Sequence, residues 1–278
     1  MEDVITVTDE ETRRIITAVR TISDVDLGQY QDVILRHRIA RFVVMQGYSS
    51  AQMLIDKLMT DRPLINIFLH KILIPTTEMF RDAELWTELE ETIKQKLSEE
   101  SFIKIWVPDI YGDDELNSLL VTLSRDNLLS KATIYATALT QAAIDDSRDS
   151  VLDQKKFETS EANFKRMDEK NTLIPFLVKQ EKYYKVSPEL LDKVIFMRHD
   201  LCNDAPPDNG FNLILYRNRA LYYNQTARKT CLDKICQSLI PGGYLVIGAG
   251  ESLDGIDQAP SMAQASKNEN IYRKNNKI

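Results

Sequence analysis

The sequence predicts an α/β protein built on a doubly wound, mostly parallel sheet and preceded by a small helical bundle. From about residue 78 onward, short β-branched or aromatic runs alternate with helical stretches. That alternation is typical of a parallel sheet with crossover helices. Before residue 78, apolar side chains recur at helical spacing. The 278 residues, 43% hydrophobic and 28% charged, suffice for one large domain and one small one.

The first domain is predicted to be all-helical and to cover residues 1–74. Thr8 and Glu11 form a capping box ahead of its first helix. A second helix follows from about Tyr30, and Pro63 is placed to start the fourth. The second helix carries a basic cluster, which we expect to face the mouth of the cleft and to attract an acidic partner. The arginines of that cluster are Arg36, Arg38 and Arg41.

The second domain is predicted to cover residues 75–278 and to hold a sheet of about seven strands. The clearest strand candidates are residues 102–107, 133–136, 194–196, 211–216 and 244–247. Residues 155–186 are charged and poorly periodic, so we interpret them as an insertion. Within it, 176–178 and 183–186 predict a short β-hairpin.

Composition excludes several classes of protein. No apolar run approaches the roughly 18–20 residues that span a bilayer, and an acidic N-terminus is unlike a secretory signal, so we expect a cytoplasmic protein without membrane insertion. A net charge of −7 repels phosphate backbones and makes nucleic acid an unexpected partner. Three cysteines without Cys-x-x-Cys spacing and three histidines suggest neither a disulfide framework nor a metal site.

The segment after the first predicted strand is acidic. Ligands bind doubly wound sheets outside the carboxyl ends of the strands, so residues 108–115 are candidate ligand contacts. Asp113, Asp114 and Glu115 disfavour a phosphate and favour a cationic ligand group. The alternative is that they are the acidic first turn of a helix, where carboxylates stabilise the macrodipole.

Three segments give the chain a family resemblance that extends from about Thr8 to Tyr272. They are Pro-Thr-Thr-Glu-Met-Phe-Arg-Asp at 75–82, Phe-Asn-Leu-Ile-Leu-Tyr-Arg-Asn-Arg-Ala-Leu-Tyr-Tyr at 211–223 and Leu-Ile-Pro-Gly-Gly-Tyr-Leu at 239–245. In these the chain resembles the chemoreceptor glutamate methyltransferases, the CheR family. The resemblance implies a class I methyltransferase-like sheet and S-adenosylmethionine as cofactor. It also implies methyl esterification of glutamates exposed on a receptor or other signalling protein.

The resemblance also implies site residues. The acceptor side matches the family at Arg81 and Tyr222, which would be catalytic. Several family positions are changed: Pro75 stands for an asparagine, Ala138 for the acidic residue that binds the ribose, and in the cofactor loop at 109–118 only Glu115 is kept. The positions that the resemblance assigns to cofactor binding are Thr77, Glu115, Asp200, Leu201, Asn218 and Arg219.

Methyl transfer to a carboxylate is an in-line displacement, so the protein mainly has to position two reactants. An arginine such as Arg81 can orient the acceptor carboxylate, and a tyrosine hydroxyl such as Tyr222 can hold its other lone pair. Because the departures fall on the cofactor side, a second hypothesis stays open: an adaptor with a methyltransferase fold that binds no cofactor. An enzyme acting on another small molecule is a third.

Overall fold

A computed structural model describes residues 6–73, 78–112 and 114–276. The chain folds as two compact units. The helical unit combines Met1–Ile74 with Leu221–Thr230, and the α/β unit combines Pro75–Ala220 with Cys231–Ile278. The sequence analysis placed residues 221–230 in the α/β domain, whereas in the structure they are part of the helical unit.

The helical unit contains the four predicted N-terminal helices, α1 (Asp9–Ile22), α2 (Asp32–Met45), α3 (Ala51–Thr60) and α4 (Arg62–Ile72). The capping box is formed: Thr8 Oγ1 accepts the Glu11 N–H, and the Glu11 carboxylate accepts the Thr8 N–H. Each helix turns one apolar stripe inward. Side chains at 0% exposure in this core include Ile15, Val19, Ile39, Leu54, Leu58 and Phe68.

Residues 221–230 join this unit through backbone and ring contacts. The Gln31 N–H donates to the Tyr222 carbonyl at 2.9 Å, and the ring of Tyr30 stacks on that of Tyr223 with centroids 5.1 Å apart. Tyr223 is buried while Tyr222 is half-buried, so the adjacent tyrosines do not both point inward.

Two arginines of the basic cluster on α2 have partners within the helical unit. Arg36 pairs with Asp9, and Arg38 Nη1 donates to the Leu73 carbonyl at 3.0 Å, just past the end of α4. Arg41 is exposed. Much of the charge on this helix is therefore used locally, and attraction of an acidic partner by the cluster stays a prediction.

The α/β unit is built on a seven-stranded sheet, which confirms the predicted fold class. Strand order is β6-β2-β1-β7-β8-β10-β9. The first five strands in that order run parallel, β10 runs antiparallel to β8, and β9 runs antiparallel to β10. The order reverses once, between β1 and β7, as expected of a doubly wound sheet. The strands are β1 (Ile103–Val107), β2 (Ala132–Ala138), β6 (Val194–Arg198), β7 (Phe211–Tyr216), β8 (Leu239–Ile247), β9 (Met262–Gln264) and β10 (Ile271–Lys274).

Helices connect these strands as expected for a doubly wound sheet. All six residues of β7 are buried. Most residues of α6, the helix that connects β1 to β2 along the chain, are buried as well. A parallel pair requires such a crossover. The helices of this unit are α5 (Ala83–Thr92), α6 (Asp114–Arg125), α7 (Gln141–Asp149), α8 (Gln154–Met167) and α9 (Pro188–Leu191), and α10 (Gln225–Ser238) begins in the helical unit.

The predicted hairpin is present. β4 (Leu177–Lys179) and β5 (Tyr183–Val186) pair antiparallel, and β3 (Val151–Asp153) adds a third strand that the sequence analysis missed. The poorly periodic stretch before the hairpin is largely α8, whose Phe157 ring stacks 4.0 Å from that of Tyr184. With three residues in each outer strand, this small sheet offers only a short edge for adding a strand.

Strands β9 and β10 were not predicted, because these short segments gain order only from pairing, β10 with β8 and β9 with β10. β8 itself begins at Leu239, earlier than the apolar run suggested. Gly243 makes this possible, since a Cβ there would lie 2.8 Å from the Phe211 carbonyl oxygen on β7. Within the described ranges, no helix is both long and apolar enough to cross a bilayer.

Asp208 ties the first two strands together. Its Oδ2 accepts from Lys104 Nζ of β1 at 2.8 Å and from the Tyr135 hydroxyl of β2 at 2.9 Å. The hydrogen bond from Lys104, followed by those from the Asn209 N–H and Tyr135, lowers the pKa of Asp208 from 3.8 to about 2. A lowered pKa in the folded state means that the carboxylate stabilises the fold above pH 3.8 and ceases to do so as the pH falls through 2.

We therefore expect Asp208→Asn to lower the free energy of unfolding at pH 6 by about 0.5–1 kcal/mol, a discounted value because the side chain is 36% exposed. The difference from the unmodified protein should shrink between pH 4 and pH 2. Urea unfolding at pH 6, 4 and 2.5 measures it. A difference that stays constant over this range would contradict the assigned role.

Candidate active site

The strand order reverses between β1 and β7, which pair in parallel at the centre of the sheet. Ligands bind α/β sheets at such a switch point, beyond the carboxyl ends of the strands. The backbone just past both strands is strained: Asp109 after β1 has φ 55° and Asn218 after β7 has φ 56°. Non-glycine residues in the left-handed region are uncommon and cluster at functional sites. The candidate active site therefore begins at these two residues.

A buried ion-pair cluster lies beside the switch point. The Arg217 side chain, directly after β7, is 0% exposed. Its Nη1 donates to both carboxylate oxygens of Glu115 at 2.9 and 2.8 Å, and its Nη2 donates to Asp82 Oδ2 at 2.6 Å. Removing a guanidinium from water costs several kcal/mol unless carboxylates compensate it. We call these three residues the Arg217 cluster.

The segment ahead of α5 is held in a second strained conformation. Phe80 has φ 54° and Asp82 has φ 61°. The Phe80 N–H donates to Ser118 Oγ of α6 at 2.8 Å, and the Met79 N–H donates to Ser160 Oγ of α8 at 3.1 Å. Two helices thus fix the backbone just before residue 81.

Arg81 is the exposed residue of this fixed segment. Its carbonyl oxygen accepts from both Nη atoms of Arg217 at 3.3 Å. Its guanidinium is exposed and makes no hydrogen bond or ion pair to the described residues. A guanidinium on a fixed backbone is suited to bind a carboxylate through two parallel hydrogen bonds.

Asn218 presents a second available donor. Its N–H and that of Gly248, at the end of β8, donate to Glu251 Oε2 at 2.9 and 2.7 Å. A Cβ on Gly248 would lie 2.3 Å from Asn218 Oδ1, so glycine is required where the loops after β7 and β8 touch. The Asn218 Nδ2 atom is buried and has no hydrogen-bond partner among the described residues. Such an atom is costly unless a ligand satisfies it.

Tyr216, the last residue of β7, lies beneath these groups. Its hydroxyl donates to Asp109 Oδ2 at 3.4 Å. Burial raises the pKa of Tyr216 well above its usual 10, and the carboxylates of Asp109 and Glu251 raise it further. The phenol stays protonated and can donate to Asp109, whose carboxylate is an acceptor at the switch point.

The acidic character expected of the loop after β1 is largely neutralised. Asp114 is completely buried and pairs with Lys156 Nζ of α8 at 2.9 Å. Glu115 belongs to the Arg217 cluster, and Asp113 lies outside the described residues. The expectation of an acidic loop open to a cation is therefore corrected at Asp114 and Glu115, because cations distant in sequence compensate both.

The loop after β6 carries two of the predicted cofactor residues. The His199 N–H donates to the Ala138 carbonyl at 2.8 Å, which joins the ends of β6 and β2. The Asp200 carboxylate accepts the Cys202 N–H at 2.9 Å, and Leu201 is buried. Asp200 and Leu201 thus lie at the carboxyl edge of the sheet.

The other predicted site residues lie around Arg217 or in the helical unit, or fall outside the described residues. Arg81, Glu115 and Asn218 come together around Arg217. Arg219, the residue after Asn218, is buried. Tyr222 belongs to the helical unit. Thr77 lies outside the described residues.

Sequence analysis missed Asp82 and Glu251 as site residues, and it named Arg217 without a role. Glu251 left a faint signal, since it follows two glycines in Gly-Ala-Gly-Glu, a composition typical of a loop close to another backbone. The pairing of Asp82 with Arg217 joins residues 135 positions apart. Without the fold, no local pattern indicates that contact.

The sequence model of the family described as "CheR methyltransferase, SAM binding domain" matches residues 75–268. The chain belongs to the CheR methyltransferase family.

CheR-family relatives match over most of their length. A chemotaxis protein methyltransferase of Listeria innocua is 28% identical over 82% of this chain and 84% of its own, and that of Listeria monocytogenes is 26% identical over the same shares. Chemotaxis protein methyltransferase 1 of Vibrio cholerae is 24% identical over 94% of this chain and 96% of its own.

A CheR SAM-binding domain has to accommodate S-adenosylmethionine, which carries a carboxylate, an ammonium and a sulfonium. The switch point fits the amino-acid end: Asn218 Nδ2 is a donor for a carboxylate, and Asp109 is an acceptor for a cation. The ribose end is less well provided, because the buried Ala138 side chain offers no acceptor for hydroxyl groups.

Proposed function

We propose that this CheR-family chain is an S-adenosylmethionine-dependent O-methyltransferase that esterifies glutamate side chains of chemotaxis receptors. The observation that carries the proposal is the pair of donors at the switch point, Arg81 and Asn218 Nδ2, in a chain whose family model covers residues 75–268. The names of the Listeria and Vibrio relatives support chemoreceptors as the acceptor proteins.

Binding of the cofactor is assigned to the residues around the switch point. Asn218 would donate its amide N–H to the cofactor, and Asp109 would attract its cationic end. Glu115 contributes a carboxylate already paired with Arg217, so its main effect is to hold that cluster rather than to act as a lone charge. The proposed cofactor residues are Thr77, Glu115, Asp200, Leu201, Asn218 and Arg219.

When bound, S-adenosylmethionine supplies a sulfonium methyl group, which a carboxylate oxygen can take by in-line displacement. The task of this chain is therefore to bind a glutamate carboxylate, orient it and keep it ionised. Arg81 does this because its guanidinium favours the charged carboxylate and can hold both oxygens in one plane. Fixing the backbone of residues 79–82 lowers the entropy lost when that orientation is achieved.

Tyr222 is proposed as the second acceptor-side residue on the strength of the family resemblance. A phenol hydroxyl can donate one hydrogen bond to a carboxylate oxygen while leaving a lone pair of that oxygen free to react. Arg81 and Tyr222 are thus the catalytic residues of the proposal, and the acceptor is a receptor segment with exposed glutamates.

Calorimetric titration with S-adenosylhomocysteine tests the cofactor assignment first. We expect saturable binding that Asn218→Leu weakens about tenfold or more, because the cofactor loses the hydrogen bond from a buried donor. The matched control is Asn224→Ala, which lies outside the switch point. No binding by the unmodified chain, or equal weakening by both variants, would refute the assignment.

Transfer of labelled methyl groups to a purified chemoreceptor cytoplasmic fragment tests the acceptor. We expect label on glutamates, released as methanol in mild base as an ester requires. If the cofactor bound but no base-labile label appeared, the assignment of the cofactor site would stand, and glutamate as the acceptor would be refuted. The adaptor hypothesis gains no support, since the relatives named above are methyltransferases.

A further inference from the structure

Two cysteines meet beside the candidate site. Cys202 is half-buried in the loop after β6, and Cys231 is completely buried on α10. Their Sγ atoms lie 2.8 Å apart, and both thiols are free. Since a disulfide has its sulfurs about 2.05 Å apart, they would have to approach by only about 0.8 Å. The proposed function uses neither thiol.

The backbone on both sides of the pair is already held. Lys234, one turn beyond Cys231 on α10, donates its ammonium protons to the carbonyl oxygens of Leu201 at 2.6 Å and Cys202 at 3.1 Å. Asp200 accepts the Cys202 N–H. Loop and helix are thus docked in the reduced protein, and little chain movement separates the dithiol from the disulfide.

The loop that carries Cys202 lies at the carboxyl edge of the sheet, where the His199 N–H donates to the Ala138 carbonyl at the end of β2. The Cys202 loop carries Asp200 and Leu201, which we assign to cofactor binding. Any covalent change at this pair therefore alters one wall of that site.

We infer that Cys202 and Cys231 form an oxidation site for hydroperoxides, at which a reversible disulfide fastens the loop after β6 to α10. This inference goes beyond methyl transfer and needs no cofactor for its test. Cys202 is the sulfur that meets the oxidant, because it is the more exposed of the two. The hydrogen bond with Cys202, together with burial, raises the pKa of the Cys231 thiol, so Cys231 keeps its proton until the second step.

The chemistry balances with hydrogen peroxide as oxidant. The Cys202 thiolate attacks one peroxide oxygen, the O–O bond breaks, and the departing hydroxide takes up the thiol proton to give water. The Cys231 sulfur then attacks the resulting sulfenic acid. The S–S bond forms as the S–O bond breaks, and the hydroxide leaves as water with the Cys231 proton. Two thiols are oxidised and one peroxide is reduced to two waters.

Counting thiols in the full chain before and after peroxide tests the inference. The protein is denatured and alkylated, and its molecular mass is measured by mass spectrometry. We expect the three free thiols to fall to one, in a monomer lighter by two hydrogens, and dithiothreitol to restore all three. The oxidised form should melt about 5 °C higher, because the cross-link restricts the unfolded chain.

Cys236 supplies the matched control. It lies on the same helix, and burial raises its pKa to about 12, which keeps it an unreactive thiol. Cys236→Ala should still lose two thiols and gain the melting shift, whereas Cys202→Ser should show neither; Cys231→Ala serves if Cys202→Ser fails to fold. The inference would be overturned if all three thiols remained free after peroxide treatment. It would also be overturned if the thiol of Cys236 were oxidised, or if the disulfide formed between two chains.

Discussion

Replacing Arg217 by leucine is expected to lower the free energy of unfolding by about 3–5 kcal/mol, the largest effect we predict on stability. The substitution leaves Glu115, whose side chain is 8% exposed, and Asp82 without their shared cation. An uncompensated buried carboxylate costs this much when its partner is removed. Chemical denaturation monitored by tryptophan fluorescence measures the loss, since Trp86 lies under the Arg217 guanidinium.

The control is the double variant Arg217→Leu with Glu115→Gln. Because glutamine carries no charge, it should recover part of the lost stability, and the coupling between the two positions should exceed about 1 kcal/mol. If the double variant is as unstable as the sum of the single variants, the buried pair is not what Arg217 stabilises.

Replacing Arg81 by alanine should lower kcat/KM for methyl transfer by about 10–200-fold, since a charged hydrogen-bonding group contributes about 1.5–3 kcal/mol. The fold should be unaffected, because Arg81 is exposed and its guanidinium makes no hydrogen bond or ion pair to a described residue. The assay compares methyl incorporation into the receptor fragment at limiting acceptor. The melting temperature is measured in parallel.

Arg166→Ala is the matched control for Arg81→Ala. Arg166 is also an exposed arginine of the α/β unit, 59% accessible, and its only described ion pair is with the exposed Glu84. We expect its kcat/KM to stay within about twofold of the unmodified protein. Equal losses in the two variants would indicate a general electrostatic effect and would contradict acceptor binding by Arg81.

The sequence predicted those parts of the molecule whose order is encoded locally. The apolar run at 211–216 became β7 without a change of boundary, and the capping box of Thr8 and Glu11 formed. Periodicity and capping act over a few residues, so they can be detected without the fold. The short strands β9 and β10 acquire their conformation from pairing, β10 with β8 and β9 with β10, and carry no such signal.

The charge of the candidate site, in contrast, could not be predicted from residues that are neighbours in sequence. Asp114 and Glu115 suggested an acidic opening when only their neighbours in sequence were considered. Their partners, Lys156 and Arg217, are 42 and 102 positions away. Charge compensation in a core depends on which side chains the fold brings together, so a local run of carboxylates does not predict the local charge.

The discontinuity of the helical unit has a consequence for synthesis on the ribosome. Helices α1 to α4 emerge first, but the segment that supplies Tyr223 to stack on Tyr30 lies beyond the intervening residues 75–220. At about 5–20 residues per second, those roughly 150 residues take on the order of 10–30 seconds to appear. During that interval Tyr30 and the Gln31 N–H are without their native partners, so the N-terminal helices reach their final form only after most of the sheet has been made.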